Sequence, residues 1–274
     1  MIQALINSDI APLYATPDTG GELADEALYG MEVMLKRTPQ PDWYEARTHY
    51  RYKGFVERRH LCIPTGDSRS EADGREKMIT AAYIDLLAMP KVSASRLACA
   101  PRGGLLTTVG EPQGGWQEIS TTDGRTAYAK AGHLSPLPSN WRTRGEEELR
   151  FAITNSALGY LGAQYRWGGK TILGIDCSGL TSMAYMLNGV LIYRDAKIMP
   201  GFPIHEIGRD AMRAGDLMFF TGHVAIYLGN DAFIHSTAFA GSDGVVINST
   251  RPGHPKYSCR EDLMDTLYAV GSIF

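Results

Sequence analysis

Over the first 66 residues, apolar positions come in short alternating runs with no helical spacing. Pro12-Leu13-Tyr14, Glu32-Val33-Met34-Leu35, Trp43-Tyr44-Glu45-Ala46-Arg47 and Tyr52-Lys53-Gly54-Phe55-Val56 are separated by turn formers such as Pro17-Asp18-Thr19-Gly20-Gly21. Strands this short with frequent turns predict a small barrel over 1–66. From Ser70 to Met89 the spacing changes. Ala72, Met78, Ile79, Ala82, Ile84, Leu86 and Leu87 sit among charged residues with Pro90 beyond, which predicts a linker helix within 67–90. Strands resume over 91–138, where Gly115-Trp116-Gln117-Glu118-Ile119 echoes Asp42-Trp43-Tyr44-Glu45-Ala46. Gly124-Arg125-Thr126-Ala127-Tyr128-Ala129 likewise echoes the segment around Tyr52, so an imperfect repeat predicts a second barrel. The double glycines at 103–104 and 114–115 read as turns. They lack the strand, loop and helix order, and the following Lys-Ser/Thr, that cradle a phosphate.

The second half has a different pattern. After Leu137-Pro138-Ser139-Asn140, a helix is expected from Gly145 to Leu161, with Glu146, Glu147 and Glu148 in its first turn. Its apolar stripe is Leu149, Ile153, Ala157, Leu158 and Leu161. A second helix is expected from Cys177 to about Leu187, burying Leu180, Met183, Ala184 and Leu187 and stopping at Asn188-Gly189. Four strand-like runs follow, at 216–220, 223–228, 232–237 and 244–248. Helices followed by an antiparallel meander make 139–274 an α+β domain behind two small all-β barrels. The segments 196–212 and 251–274 carry no motif.

Composition narrows the partners. The chain has 274 residues, 44% of them hydrophobic, and a formal net charge of −3. It has no basic stripe interleaved with aromatics and no apolar run of membrane-spanning length, so neither nucleic acid nor membrane is expected as a partner. Met1 to Asp9 has no positive segment and no sustained apolar core, unlike a signal peptide. Cys62, Cys99, Cys177 and Cys259 are widely scattered with no CxxC pair. That usage suits a reducing compartment, and a cytoplasmic location is expected.

The candidate chemistry centres on Asp176-Cys177-Ser178-Gly179-Leu180. Asp176 reads as the N-cap of the second helix, which puts Cys177 in the first turn. There the helix dipole and the unpaired amides favour a thiolate. A nucleophile needs a base, and two histidines lie in the strand-like runs. With Gly229-Asn230-Asp231 as a three-residue hairpin loop, Leu228 faces Ala232, Ala225 faces His235 and His223 faces Thr237. His223 and His235 are then diagonal neighbours on one face, roughly 7–8 Å apart at the backbone. A helix-terminal cysteine with two such histidines fits nucleophilic catalysis, in which a base takes the thiol proton and a third group holds the base. The same three residues could hold zinc, but they lack an obvious fourth ligand and any pair at metal-finger spacing. No metal or cofactor is expected.

Two resemblances extend this reading. The order of Pro12-Leu13-Tyr14, Gly30-Met31-Glu32-Val33, Asp42-Trp43-Tyr44-Glu45-Ala46-Arg47 and Tyr52-Lys53-Gly54-Phe55-Val56 resembles a bacterial SH3 domain. Tyr165-Arg166-Trp167-Gly168-Gly169, Asp176-Cys177-Ser178-Gly179-Leu180, Arg213-Ala214-Gly215-Asp216-Leu217, His223-Val224-Ala225-Ile226-Tyr227-Leu228 and Phe233-Ile234-His235-Ser236 resemble the NlpC/P60 family of cell-wall cysteine peptidases. That resemblance implies a papain-like fold, with Cys177 as nucleophile, His223 as base and His235 as the orienting third residue. It implies cleavage of murein stem peptides at the γ-D-glutamyl bond to a diamino acid, Lys or meso-diaminopimelate. Two barrels ahead of the catalytic domain resemble the subgroup acting on free peptides with an unblocked N-terminal L-Ala. For that subgroup the resemblance implies an ammonium pocket of Asp195, in Arg194-Asp195-Ala196, closed by Tyr52, with Glu32 a weaker match. The usual preceding proline is here Tyr193. Asp176 and Ser178 are expected to line the site, and Tyr165 to lie near the oxyanion position beside the Cys177 amide. Release of L-Ala-D-Glu by such an enzyme belongs to cell-wall recycling. The alternatives are a papain-like amidase or acyltransferase on another amide or lipid, a secreted cell-wall hydrolase, and a non-catalytic wall-binding adaptor.

Overall fold

Period-two burial builds the first half of the chain. The computed structural model describes residues 1–63 and 75–274, which divide into two compact units, Met1–Leu137 and Pro138–Phe274. In the first unit, β1 (Ile2–Ile6), β2 (Ile10–Tyr14), β3 (Leu23–Leu28), β4 (Glu32–Arg37), β5 (Trp43–Thr48), β6 (Lys53–Glu57) and β7 (Leu61–Cys62) form an antiparallel sheet. Ala4, Ile6, Ala11, Leu13, Val33, Leu35, Ala46 and Val56 alternate inward and are buried. The strand order is β3-β2-β6-β5-β4-β1-β7.

A second sheet repeats this order. It comprises β8 (Arg75–Ile79), β9 (Tyr83–Leu87), β10 (Arg96–Pro101), β11 (Leu105–Gln113), β12 (Trp116–Ser120), β13 (Thr126–Lys130) and β14 (Leu134–Pro136). Its order, β10-β9-β13-β12-β11-β8-β14, is the first sheet's with every strand advanced by seven. Each strand starts 73 residues after its counterpart, as Ile2 and Arg75, Ile10 and Tyr83, and Leu23 and Arg96 illustrate. The internal repeat is therefore real, and it is longer than the echo around Trp116 suggests.

The linker helix expected within 67–90 is not present over its described part. Residues 75–79 and 83–87 are β8 and β9, and 64–74 lie outside the described residues. Ile84 and Leu86 are buried around an exposed Asp85, an alternation that mixing with Met78, Ile79 and Leu87 disguised as helical spacing. The second barrel accordingly begins at β8 and not at residue 91. The barrels share packing within their unit: Tyr29, at the start of the first sheet's β3–β4 connection, is buried in the second core with Ile79, Ile84 and Leu106. Gly30 makes this possible. Its φ is +75°, and a Cβ there would stand 1.9 Å from the Leu105 carbonyl oxygen.

The second unit is α+β. Helix α1 (Glu146–Leu158) buries Leu149, Ile153 and Ala157, whereas Leu158 and Leu161, expected in its stripe, are exposed. A two-strand ribbon, β15 (Lys170–Thr171) and β16 (Gly174–Ile175), leads into α2 (Cys177–Met186). Every residue of α2 from Cys177 to Tyr185 is buried, so this helix is enclosed in the core. The main sheet holds β17 (His205–Ile207), β18 (Leu217–Phe220), β19 (His223–Gly229), β20 (Ala232–Thr237), β21 (Gly244–Ser249) and β22 (Leu267–Ser272) in the order β17-β22-β18-β19-β20-β21. A short helix, α3 (Glu261–Met264), precedes β22. The motif-free tail thus supplies a strand that pairs with both β17 and β18. Among the described residues no helix is long and apolar enough to cross a membrane.

The β19–β20 hairpin carries both histidines, and its loop is shorter than expected. Gly229 pairs with Ala232, and Asn230 and Asp231 alone make the turn, both with positive φ (50° and 58°) as a type I′ turn requires. A register shift between Tyr227 and Gly229 then restores Tyr227 opposite Phe233 and Ile226 opposite Ile234. The bulge cancels the missing loop residue, and the expected facing of the histidines survives.

Candidate active site

The candidate nucleophile, Cys177, stands on a heavily braced turn. Asp176 caps α2, and its Oδ1 accepts from the Gly179 amide (2.5 Å), the Ser178 hydroxyl (3.2 Å) and Arg194 Nη1 (2.9 Å). Its Oδ2 accepts from the Gly168 amide (2.8 Å) and Arg194 Nη2 (3.0 Å). Arg194, 2% exposed, also donates to Ser178 Oγ (2.7 Å) and the Gly169 carbonyl (3.3 Å). A carboxylate has about four lone-pair sites, so these donors saturate Asp176. These contacts give Asp176 a positioning task, and the Ser178 hydroxyl is held in the same clamp. Sequence reasoning had put the weight of the Arg194-Asp195 pair on Asp195 alone.

Cys177 is 8% exposed, and burial, followed by the Asp176 charge, pushes its thiol up to about 11. The backbone amides of Val224 and Ser178 hydrogen-bond to the sulfur and, with Arg194, pull the other way with less effect. The resting residue is consequently a neutral thiol, where the helix terminus alone suggested a thiolate. The Val224 contact seats the sulfur against β19, one residue along from His223. Tyr165 lies beside Ile175 in a parallel bridge, and burial, then the nearby Cys177 and Asp176, raise its phenol.

The two histidines meet. His223 Nε2 lies 2.8 Å from His235 Nδ1, with the rings nearly perpendicular at 87°. His235, fully buried, places its Nε2 2.8 Å from Asn248 Oδ1, and Asn248 Nδ2 donates to the Ser258 carbonyl (3.1 Å). Burial lowers His223 to about 3, helped by His235 and Arg260. Burial likewise lowers His235 to about 4, against its hydrogen bond to Asn248 Oδ1. Both imidazoles are neutral at pH 7, the form a general base needs. Among the described residues no group of three or more His, Cys, Asp or Glu is placed to hold a metal ion. Asn248 was missed by the sequence reading.

Neutral buried histidines make stability depend on pH. Between pH 6.5 and about 4 the unfolded chain binds protons that the folded site refuses, so stability falls as pH falls through that window. The slope reaches at most about 1.4 kcal/mol per pH unit for each histidine. A His223→Asn variant lacks its share of this penalty. Its stability relative to wild type should rise between pH 7 and 4.5 in denaturant titrations, and a constant difference would contradict neutral burial.

Asp195 lines a small pocket with Thr181, Tyr193, Lys197, Phe202 and Val224. Burial raises the Tyr193 phenol, and the Asp195 carboxylate, which accepts its hydrogen bond, raises it further. Through Val224 the pocket shares a wall with Cys177. Tyr52 and Glu32 belong to the first unit. Tyr52 is half-buried in the β5–β6 turn, its backbone held by Thr48, and Glu32 opens β4 opposite Leu5.

Comparison with known proteins adds to this geometry. The profile of the NlpC/P60 family matches residues 162–262. The chain is 39% identical to Dipeptidyl-peptidase 6 of Lysinibacillus sphaericus over 279 residues, covering 100% of each. It is 38% identical over 96 residues to the gamma-D-glutamyl-L-lysine dipeptidyl-peptidase of Bacillus subtilis (strain 168), 31% of each chain. In structure it resembles an NlpC/P60 family protein from Bacillus cereus ATCC 10987, with a TM-score of 0.77 over 98% of both chains at 19% identity, a likeness of fold that spans barrels and catalytic unit.

Proposed function

The chain belongs to the NlpC/P60 family of cysteine peptidases, and from that premise we propose that it hydrolyses the γ-D-glutamyl bond to an L-diamino acid in murein peptides with a free N-terminal L-Ala. The observation that carries this is the full-length match to a dipeptidyl-peptidase, including both barrels. The site chemistry supports it. The Cys177 thiol gives its proton to His223 as the sulfur attacks the D-Glu side-chain carbonyl. The Cys177 amide at the start of α2 and the Tyr165 hydroxyl are the oxyanion donors. His223 returns the proton to the leaving amine, and water, deprotonated by His223, then cleaves the thioester and frees L-Ala-D-Glu.

Asp195 is assigned to the substrate ammonium, because a desolvated cation needs a charged, hydrogen-bonded partner. Such a pocket excludes blocked or cross-linked strands. This suits a recycling peptidase, and the scattered cysteines suit a reducing compartment for it.

Mass spectrometry of L-Ala-γ-D-Glu-L-Lys and its N-acetylated form tests this. L-Ala-D-Glu should appear from the free peptide only. Asp195→Asn should lower kcat/KM on that peptide roughly ten- to hundred-fold, in line with about 1.5–3 kcal/mol for a hydrogen bond to a charged group. Equal cleavage of both peptides would remove the ammonium pocket, and lysis of intact sacculi would contradict the recycling role. Cleavage of neither would turn attention to amide transfer.

A further inference from the structure

The tail that carried no motif runs past the back of the catalytic histidines. Cys259 bridges in parallel to Ser249 of β21, and the Ser258 carbonyl accepts both the Ser249 amide (2.8 Å) and Asn248 Nδ2 (3.1 Å). A carbonyl only accepts, so the Asn248 amide nitrogen must face Ser258 and its Oδ1 must face His235. We propose that Asn248 is a positioning residue whose amide, held by the Ser258 carbonyl, fixes the tautomers of both imidazoles so that His223 keeps its Nδ1 lone pair for the Cys177 thiol.

The chain of donors is forced step by step. Asn248 Oδ1 accepts, so His235 Nε2 carries a hydrogen. His235 is neutral, so its Nδ1 is bare and accepts from His223 Nε2–H. His223 is neutral in turn, so its Nδ1 is the nitrogen with the free lone pair. Reversing the Asn248 amide would reverse the hydrogens of both rings and leave His223 with Nδ1–H, unable to take a thiol proton.

The same strap sets the local field. Arg260 stacks on Phe239 (3.8 Å to the ring centroid) and forks onto Asp262 through two 2.8 Å hydrogen bonds. Its buried Nη1 has no hydrogen-bond partner among the described residues. The charged groups acting on the pair are Arg260, which lowers both histidines, and Asp262, which raises His235. Arg260 opposes an imidazolium, and the pull of the Asn248 hydrogen bond toward one does not overcome burial.

This rests on Cys177 and His223 as nucleophile and base, but not on the identity of the peptide, so the test uses alkylation of Cys177 by iodoacetamide, read by mass spectrometry of the Cys177 fragment. Asn248→Ala should slow alkylation and kcat together by roughly ten- to hundred-fold, the usual effect of removing an outer partner of a site histidine, with KM unchanged. Asn248→Asp should move the acid limb of the alkylation–pH profile to higher pH, because an anion beside His235 favours imidazolium. In wild type, nitrogen chemical shifts should report both histidines as Nε2–H tautomers, a reading that does not depend on whether a variant folds. An Nδ1–H tautomer at His223, an unchanged Asn248→Ala rate, or an Asn248→Asp limb at the wild-type position would each overturn the proposal. Normal alkylation behaviour with no peptide cleavage would count against the substrate and leave the tautomer assignment standing.

Discussion

Cys177→Ala is expected to lower the release of L-Ala-D-Glu by on the order of 10⁵–10⁶-fold while leaving the fold intact. The substitution deletes one buried sulfur, so it costs little packing, yet it removes the atom that forms the covalent intermediate. His223→Ala should cost nearly as much. With a neutral thiol pushed up to about 11, attack without a base would require a thiolate that burial disfavours. The double variant should be no worse than either single one, because residues acting as one unit lose their function together. Dipeptide release measured by mass spectrometry on all three variants decides this. Losses that multiply, or a Cys177→Ala variant within about tenfold of wild type, would dissolve the pairing.

The placement of Cys177 on α2 and of both histidines on one hairpin was legible before the structure because it rests on local rules. An N-cap aspartate fixes where α2 starts, and period-two alternation fixes which hairpin residues share a face. The hairpin reading held although its loop was misread, because the β19 bulge offset the shorter Asn230-Asp231 turn. Asn248 escaped for a different reason. Parity puts it on the same face of β21 as Val246, which opposes His235. The register between β20 and β21 depends on a loop, 238–243, that no turn rule fixes, so a polar residue at the end of a predicted strand carried no visible partner. The misread linker helix shows the converse. Aligning Trp43 with Trp116 and extending that offset backwards would have laid β1 and β2 onto 75–87, and local spacing was trusted over the repeat.

Arg194 was the residue furthest from sequence reach, because its partner lies 18 positions away and both are buried. Its removal should have the largest effect on stability. Arg194→Met leaves the Asp176 carboxylate buried without its cation, and breaking one side of a buried pair costs about 3–5 kcal/mol. The loss should appear as a fall in the melting temperature of roughly ten degrees. It should also slow alkylation of Cys177, since the released carboxylate no longer holds Gly168, Ser178 and Gly179 around the nucleophile. Arg194→Lys keeps the charge but not the two-pronged contact, and should fall between the two. Combining Arg194→Met with Asp176→Asn should recover part of the stability by removing the orphaned charge, without restoring turnover. If Arg194→Met melts within about two degrees of wild type, a shift well under what 3 kcal/mol implies, the clamp contributes nothing. The accessibility of Cys177 at the head of α2 would then rest on the helix packing alone.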